Sequence, residues 1–214
     1  MTENLDYQYS DDLYTSSHGH ILPLLEEILV KIKKNFNKNP LVLDMGCGNG
    51  AFCNILYSLG FEVAGLDHSK SGIEIAKKSF PNITFFNSDI YDFKEPDLYA
   101  KYNIVTSIEV IEHLIYPREL LRQAKKYLSP NGYLLLSTPY HGYLKNFILG
   151  ALNLWDNHFC VGWDIGHIKF FSVKSLKDLL NEEGFTNLNF YFSGGFPYIW
   201  KNMICLCQAP RPSL

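Results

Sequence analysis

The sequence predicts an α/β fold: a Rossmann-like, doubly wound, seven-stranded sheet, mostly parallel, closing in a C-terminal antiparallel hairpin. Three observations predict it. Short apolar runs alternate with amphipathic segments from residue 41 to residue 183, the pattern of parallel strands covered by helices on both faces. The first run, Leu41-Val-Leu43, passes through Asp44 into glycines at alternate positions, Gly46, Gly48 and Gly50. The last two runs, 186–193 and 199–208, are joined by Gly194-Gly-Phe-Pro197 with no room for a crossover helix, so they pair antiparallel.

Each element follows from local chemistry. The first residues are polar and tyrosine-rich, with Tyr7, Tyr9 and Tyr14, and are either mobile or folded over a ligand. From Ile21 to Phe36, Leu22, Leu25, Ile28, Leu29 and Ile32 recur at helical spacing, and the stretch from Asn37 to Pro40 breaks the helix. Strands are expected at 41–45, 62–66, 83–87, 103–108 and 132–138, and helices at 50–59, 70–79, 117–128 and 173–183. Pro130-Asn-Gly132 marks a turn before the fifth strand. Residues 139–171 leave the alternation and concentrate aromatics and histidines. Insertions of this length are usually functional, and this one reads as a partly helical lid. The 214 residues suit one domain, 1–214, with a helical cap over 1–37 and an aromatic lid over 139–171.

Composition excludes several classes. Apolar residues at 47% and charged residues at 19% describe a globular protein. A net charge of -3 and the lack of a dense basic stripe argue against a nucleic-acid partner. Lys31, Lys33, Lys34 and Lys38 read as a solvated helix end that complements the dipole. The five cysteines, Cys47, Cys53, Cys160, Cys205 and Cys207, form no C-x-x-C pair, so reduced thiols in a cytoplasmic protein are expected. No signal peptide and no membrane span is expected, since no run reaches the required apolar length. Nothing in the sequence speaks to oligomeric state.

In open α/β sheets ligands bind beyond the carboxyl ends of the strands, so the residues there carry the chemistry. After the first strand stand Asp44 and the loop Gly46-Cys47-Gly48-Asn49-Gly50. Its glycines let backbone approach a ligand closely, and the acid favours a ligand that presents an amino group. After the second strand, Asp67 can accept from both ribose hydroxyls and His68 can pack on adenine. After the third, Asp89 can accept from the adenine amine, with Ile90 against the ring. After the fourth comes Glu109, a candidate at the cofactor end of the sheet. Any one strand-end acid is often only a cap or turn former. Acids closing three successive strands, the first within Asp-x-Gly-x-Gly-x-Gly, point to S-adenosyl-L-methionine. A nicotinamide dinucleotide competes, because Gly46-x-Gly48-x-x-Ala51 with Asp67 downstream satisfies that fingerprint too. Asp44 beside a pyrophosphate, and the antiparallel ending, count against it.

From about 38 to 208 the chain resembles the class I S-adenosylmethionine-dependent methyltransferases. The resemblance rests on Leu41-Val-Leu-Asp-Met-Gly-Cys-Gly-Asn-Gly50, Gly65-Leu-Asp-His-Ser69 and Asn87-Ser-Asp-Ile90. Within that class, Glu109-Val-Ile-Glu-His-Leu114 and Leu134-Leu-Leu-Ser-Thr-Pro139 are similar to segments of the ubiquinone-biosynthesis O-methyltransferases. The resemblance implies S-adenosyl-L-methionine as cofactor, S-adenosyl-L-homocysteine as product and a small-molecule acceptor. In that group the Glu-x-x-Glu-His segment is associated with a divalent cation, which maps here to Glu109, Glu112 and His113. On a helix these residues share a face. The competing reading is a helix start with acids at the positive dipole end; it is preferred, and no metal is expected. The segments 155–159 and 163–171 depart from the ubiquinone enzymes and resemble an uncharacterised methyltransferase subgroup, which leaves the acceptor open.

Methyl transfer is an in-line displacement in which the protein positions the acceptor and removes its proton. A histidine suits that proton transfer. The candidates are His167 first, then His141 and His158, with Asp156 or Asp164 as orienting partners. Tyr140, Trp155, Phe159 and Trp163 form either a stacking wall for a planar acceptor or the lid's own small core. The expected function is O-methylation of a small hydrophobic or aromatic metabolite. The alternative is an inactive cofactor-binding homologue acting as a sensor or partner subunit.

Overall fold

The computed structural model describes residues 7–14, 19–159, 162 and 166–210. Its sheet has seven strands: β1 Leu41–Met45, β2 Glu62–Asp67, β3 Thr84–Asn87, β4 Tyr102–Ile108, β5 Leu128–Pro139, β6 Thr186–Ser193 and β7 Asn202–Gln208. Their order is β3-β2-β1-β4-β5-β7-β6. The first five pair parallel, and β7 runs antiparallel to both β5 and β6. The expected hairpin is present, with its second strand inserted between β5 and the first.

Neighbouring residues in the central strands feed opposite cores, as a sheet covered on both sides requires. Val42, Ile104, Leu135 and Ile204 pack on one face under α1 (Leu22–Lys33) and α2 (Ala51–Ser58). Leu43, Val105, Leu134 and Cys205 pack on the other under α4 (Pro117–Tyr127) and, further along the chain, α7 (Val173–Glu182). The stripe Leu25, Ile28, Leu29 and Ile32 of α1 is buried, as its spacing predicts. Between β2 and β3, α3 (Lys70–Ser79) starts at Ser69, whose side chain accepts from the Gly72 N–H, a standard N-cap. Ser172 and Ser175 form a capping box at the start of α7.

The structure differs from the expectation at two strand boundaries. Residues 128–131 do not form a separate turn. β5 begins directly after α4 at Leu128, and Asn131, at φ 60°, forms part of a bulge where the register with β4 shifts. A step of two residues on β4, Tyr102 to Ile104, faces a step of five on β5, Leu128 to Tyr133, so the extra residues are absorbed inside the strand. At the other end β7 begins at Asn202, later than the apolar run that starts at Ile199. The 139–171 insertion is partly helical, with α5 over Tyr143–Ala151 and α6 over Trp155–Phe159. Cys47, Cys53, Cys205 and Cys207 are free and buried, and Cys160 lies outside the described residues. Among the described residues no helix is long and apolar enough to cross a membrane.

Candidate functional site

The register aligns Asp44 of β1 with Gly65 of β2 and Thr106 of β4, and Asp67 of β2 with Asn87 of β3. The chain therefore leaves each of these strands at the same edge of the sheet. Both the Gly46 and Cys47 amides donate to the Leu66 carbonyl, at 2.7 and 3.0 Å, which turns the loop back over β2. The Gly48 amide then donates to Asp67 Oδ2 at 2.8 Å, while the Ser69 amide donates to Oδ1 at 2.7 Å. One carboxylate thus joins two loops.

Asp44 is buried, and its oxygens accept from Thr106 Oγ1 at 2.6 Å and Cys53 Sγ at 3.5 Å. Burial raises its pKa to about 6 against the lowering effect of those hydrogen bonds. Burial also raises the Cys47 thiol to about 11, so Cys47 is a neutral wall of the loop. His68 Nδ1 lies 3.6 Å from Asp67 Oδ1, with half of its side chain exposed. Asp89 is exposed and accepts from the Tyr91 amide at 2.8 Å, a turn of the Asx kind. Ile90 beside it is buried.

The tyrosine-rich start is not loose where it is described. Residues 7–14 lie across the glycine loop. Asn49 Nδ2 donates to the carbonyls of Asp11 and Leu13, both at 2.8 Å. Ser69 Oγ donates to the Tyr7 carbonyl at 2.8 Å, the Tyr9 amide to Ser71 Oγ at 3.1 Å, and the Tyr14 hydroxyl to the Ala51 carbonyl at 2.5 Å. The Tyr9 ring rests on Gly48 and Gly72, and burial, then the nearby Asp67, raises its phenol well above the usual value. These contacts join residues between 36 and 62 positions apart, and no local pattern announces them. The composition of the segment was the one visible signal.

Glu109 departs from expectation. It is not on a helix with Glu112 and His113. Its φ is 56°, and the three-residue 3-10 turn Ile111–His113 follows it. Ser137 Oγ donates to Glu109 Oε1 and Asn202 Nδ2 to Oε2, both at 2.6 Å, and His20 Nε2 pairs with Asn202 Oδ1 at 2.9 Å. Burial raises the Glu109 carboxyl to about 7 despite these bonds. The cation set implied by the family resemblance, Glu109 with Glu112 and His113, therefore does not assemble: the Glu109 oxygens are committed to β5 and β7.

The three predicted histidines separate into two places. His141, at the end of β5, is buried; its ring lies 5.8 Å from His158 and 5.7 Å from Phe159, with Phe170 at 5.2 Å. Burial, then Lys145, lowers its pKa to about 4; the same two causes lower His158. Lys145 of α5 is itself half-buried, donates to the Tyr140 carbonyl at 2.9 Å, and is lowered by burial to about 8. Sequence reading missed Lys145, because a lysine on a short helix carries no sign of pointing inward. His167 stands elsewhere, its ring 4.7 Å from His113 and its Nε2 3.9 Å from Glu112 Oε1. Asp156 is exposed on α6, while Asp164 and Trp163 lie outside the described residues. The expected aromatic wall divides. Trp155 packs on Phe159 at 4.7 Å, whereas Tyr140 turns to Phe192 and Trp200 of the hairpin, each at 5.5 Å.

The sheet order, the single antiparallel strand and the glycine loop after an acidic strand end define the class I S-adenosylmethionine-dependent methyltransferase fold. The chain belongs to the methyltransferase-domain family, whose profile matches residues 18–189. It is similar to the ubiquinone biosynthesis O-methyltransferase of Rickettsia canadensis, 29% identical over 170 residues, covering 75% of this chain and 69% of that one. The enzyme of the same name from Rickettsia akari is 33% identical over 121 residues, covering 53% of this chain and 47% of that one. This chain thus spans about two thirds of the first relative and about half of the second. Among solved structures, magnesium protoporphyrin IX methyltransferase from Synechocystis PCC 6803 with bound S-adenosylhomocysteine superposes with a TM-score of 0.66. That match covers 94% of this chain and 90% of that one at 16% identity, and so shows the fold.

Proposed function

We propose that this chain, as a single domain over 1–214, transfers the methyl group of S-adenosyl-L-methionine to a hydroxyl of a small hydrophobic or aromatic molecule. The observation that carries the reading is the joining of the glycine loop to the β2 end through Asp67, with Asp44 and Glu109 at the ends of the two adjoining strands. Asp67 would accept from the ribose hydroxyls, whose two donors match its two oxygens. Asp44 would face the ammonium group, with the Gly46, Cys47, Gly48, Asn49 and Gly50 backbone beneath the ligand. His68, Asp89 and Ile90 would flank the adenine, and Glu109 would close the far side. The cofactor supplies an electrophilic methyl on a sulfonium. The O-directed, small-molecule reading is supported by the named activity of the ubiquinone relatives.

On the acceptor side, the 139–171 segment serves as an aromatic lid. His158 is the proposed general base, taking the acceptor's hydroxyl proton as the oxygen–carbon bond forms. His141 is its packed neighbour. Low histidine pKa values keep both rings neutral at pH 7, the form that accepts a proton. Buried free thiols support a reducing, cytoplasmic setting.

Transfer of labelled methyl from S-adenosyl-L-methionine to a panel of phenols, catechols and quinols tests the reading. Labelled product is expected, and His158→Ala should lower kcat by about 100-fold while S-adenosylhomocysteine affinity holds. Tight S-adenosylhomocysteine binding with no product on any acceptor would instead favour the sensor alternative. Cofactor affinity should also weaken as pH falls through about 6, where Asp44 takes up a proton and loses its charge toward the ammonium. Calorimetric titration from pH 8 to 5 checks this; an Asp44→Asn variant should remove the acid limb.

A further inference from the structure

Lys145, on the first turn of α5, is a half-buried ammonium with little to hold it. One of its three N–H donors reaches the Tyr140 carbonyl at 2.9 Å. Among the described residues no carboxylate is close enough to form an ion pair with it. A buried charge without a close counter-ion is costly, and burial accordingly lowers Lys145 to about 8. The charges that face it come from the surrounding elements. Glu109, just after β4, attracts it, and Lys201, just before β7, repels it. His141 after β5 and His158 on α6 are held neutral in part by its charge. Glu109 is a poor counter-ion, because its two oxygens already accept from Ser137 and Asn202.

A second polar atom on the same turn lacks a partner. Asn146 leaves a buried Oδ1 without a hydrogen bond, beside the His141 ring. The place is the end of the sheet where the proposed cofactor residues stand. Ser137, which holds Glu109, and Tyr140, which takes the Lys145 bond, both stand at the end of β5. Phe159 and Phe170 flank His141 at 5.7 and 5.2 Å. Aromatic walls, neutral imidazoles and one uncompensated ammonium therefore meet on the acceptor side.

We propose that the methyl acceptor is an anion: an aromatic hydroxy acid whose carboxylate is received by Lys145. The inference rests on the methyl-transfer reading of the site and narrows its acceptor from any small aromatic molecule to one that carries a carboxylate. A neutral phenol would leave the ammonium uncompensated. A carboxylate needs one positive charge and one or two N–H donors, and Lys145 has two donors beyond the one given to Tyr140. A phosphate is usually held by arginine forks or a nest of backbone amides. The described arginines, Arg118 and Arg122, are instead paired with Glu182, Glu119 and Glu183. Lys201 adds attraction for an anion from a distance.

Ligand pairs that differ only in charge test this: 4-methoxybenzoate, 4-methoxycinnamate and 6-methoxy-2-naphthoate, each with its neutral amide. None has a hydroxyl left to methylate or to titrate, so binding is read without turnover. Dissociation constants are measured on the full chain, without cofactor, by ligand-observed NMR at pH 7. On at least one ring system the acid is expected to bind about 10- to 100-fold more tightly than the amide, the gain of a charge-assisted hydrogen bond. Lys145→Met should erase that preference while the amide's affinity holds, and Lys145→Arg should retain it. Binding of S-adenosylhomocysteine verifies the fold of each variant. The wild-type preference should also fade from pH 7 to about 9.5, as the ammonium loses its proton. That series decides the question even where Lys145→Met does not fold. The inference is overturned if no acid binds better than its amide, if Lys145→Met keeps the acid preference, or if the preference is unchanged at high pH. Absence of labelled product from every acid and phenol would sink the reaction on which the inference rests, whereas product on neutral phenols without an acid preference sinks this inference alone.

Discussion

Asp67→Ala is expected to weaken S-adenosylhomocysteine binding by at least about 100-fold. The carboxylate does two jobs at once. It accepts the Gly48 and Ser69 amides at 2.8 and 2.7 Å, which holds the glycine loop against the start of α3, and under the proposed function it also accepts the ribose hydroxyls. Hydrogen bonds to a charged group are worth about 1.5–3 kcal/mol each. Losing even two of the four corresponds to about 3–6 kcal/mol, or more than two decades in affinity. Part of the loss is preorganisation: without Asp67 the Gly48 amide has no partner, and the loop must be ordered by the ligand itself. Calorimetric titration decides the matter. An affinity within threefold of wild type would show that the β2 end does not carry the ribose.

Gly50→Ala is expected to destabilise the protein by about 2–4 kcal/mol. Gly50 caps α2 at φ 79°, a left-handed conformation that L-residues disfavour. An added Cβ would meet Ala76 Cβ at 2.8 Å and the Phe85 ring at 2.9 Å. Ala76 belongs to α3 and Phe85 to β3, both in a packed cluster with Cys47 and Cys53, so neither side can yield cheaply. Gly184→Ala provides the comparison. Its φ is 85°, yet its Cβ would meet only Pro210 at 3.7 Å. That variant should cost only the conformational part, about 1–2 kcal/mol. Thermal or urea unfolding of both variants separates strain from crowding, and equal losses would mean that packing at Gly50 contributes nothing.

Glu109 and Asp44 set an opposing pH dependence in the unliganded protein. Their folded pKa values, about 7 and about 6, lie above those of free carboxyls. The folded state therefore binds more protons than the unfolded chain between about pH 4 and 7, and stability falls as pH rises through that window. His141 and His167, lowered to about 4, act in the other direction. The net slope should be shallow in wild type, and Glu109→Gln should expose the histidine contribution as a loss of stability on acidification. Midpoints of urea unfolding at pH 5 and 7 read this directly.

Most of the fold is legible in the sequence because its causes are local. The apolar stripe of α1, the strand runs at 41–45 and 186–193, and the glycines after Asp44 depend on periodicity, burial and backbone freedom that neighbouring residues specify. The order of acids along the sheet edge follows too, since parallel strands joined by right-handed crossovers end at one side. The Asp44 and Asp67 positions are therefore legible in the sequence alone. Only tertiary structure decided the rest. That β7 inserts beside β5, that Asn202 and Ser137 claim Glu109, and that residues 7–14 close over the glycine loop are pairings between distant segments. The division of the histidines is of the same kind: His141 and His158 meet on the lid, while His167 turns to Glu112 and His113. Spacing along a chain states what a helix face or strand end offers. Which partner takes up the offer is settled by the packing of elements far apart in sequence, where long-range geometry rather than propensity sets the contact.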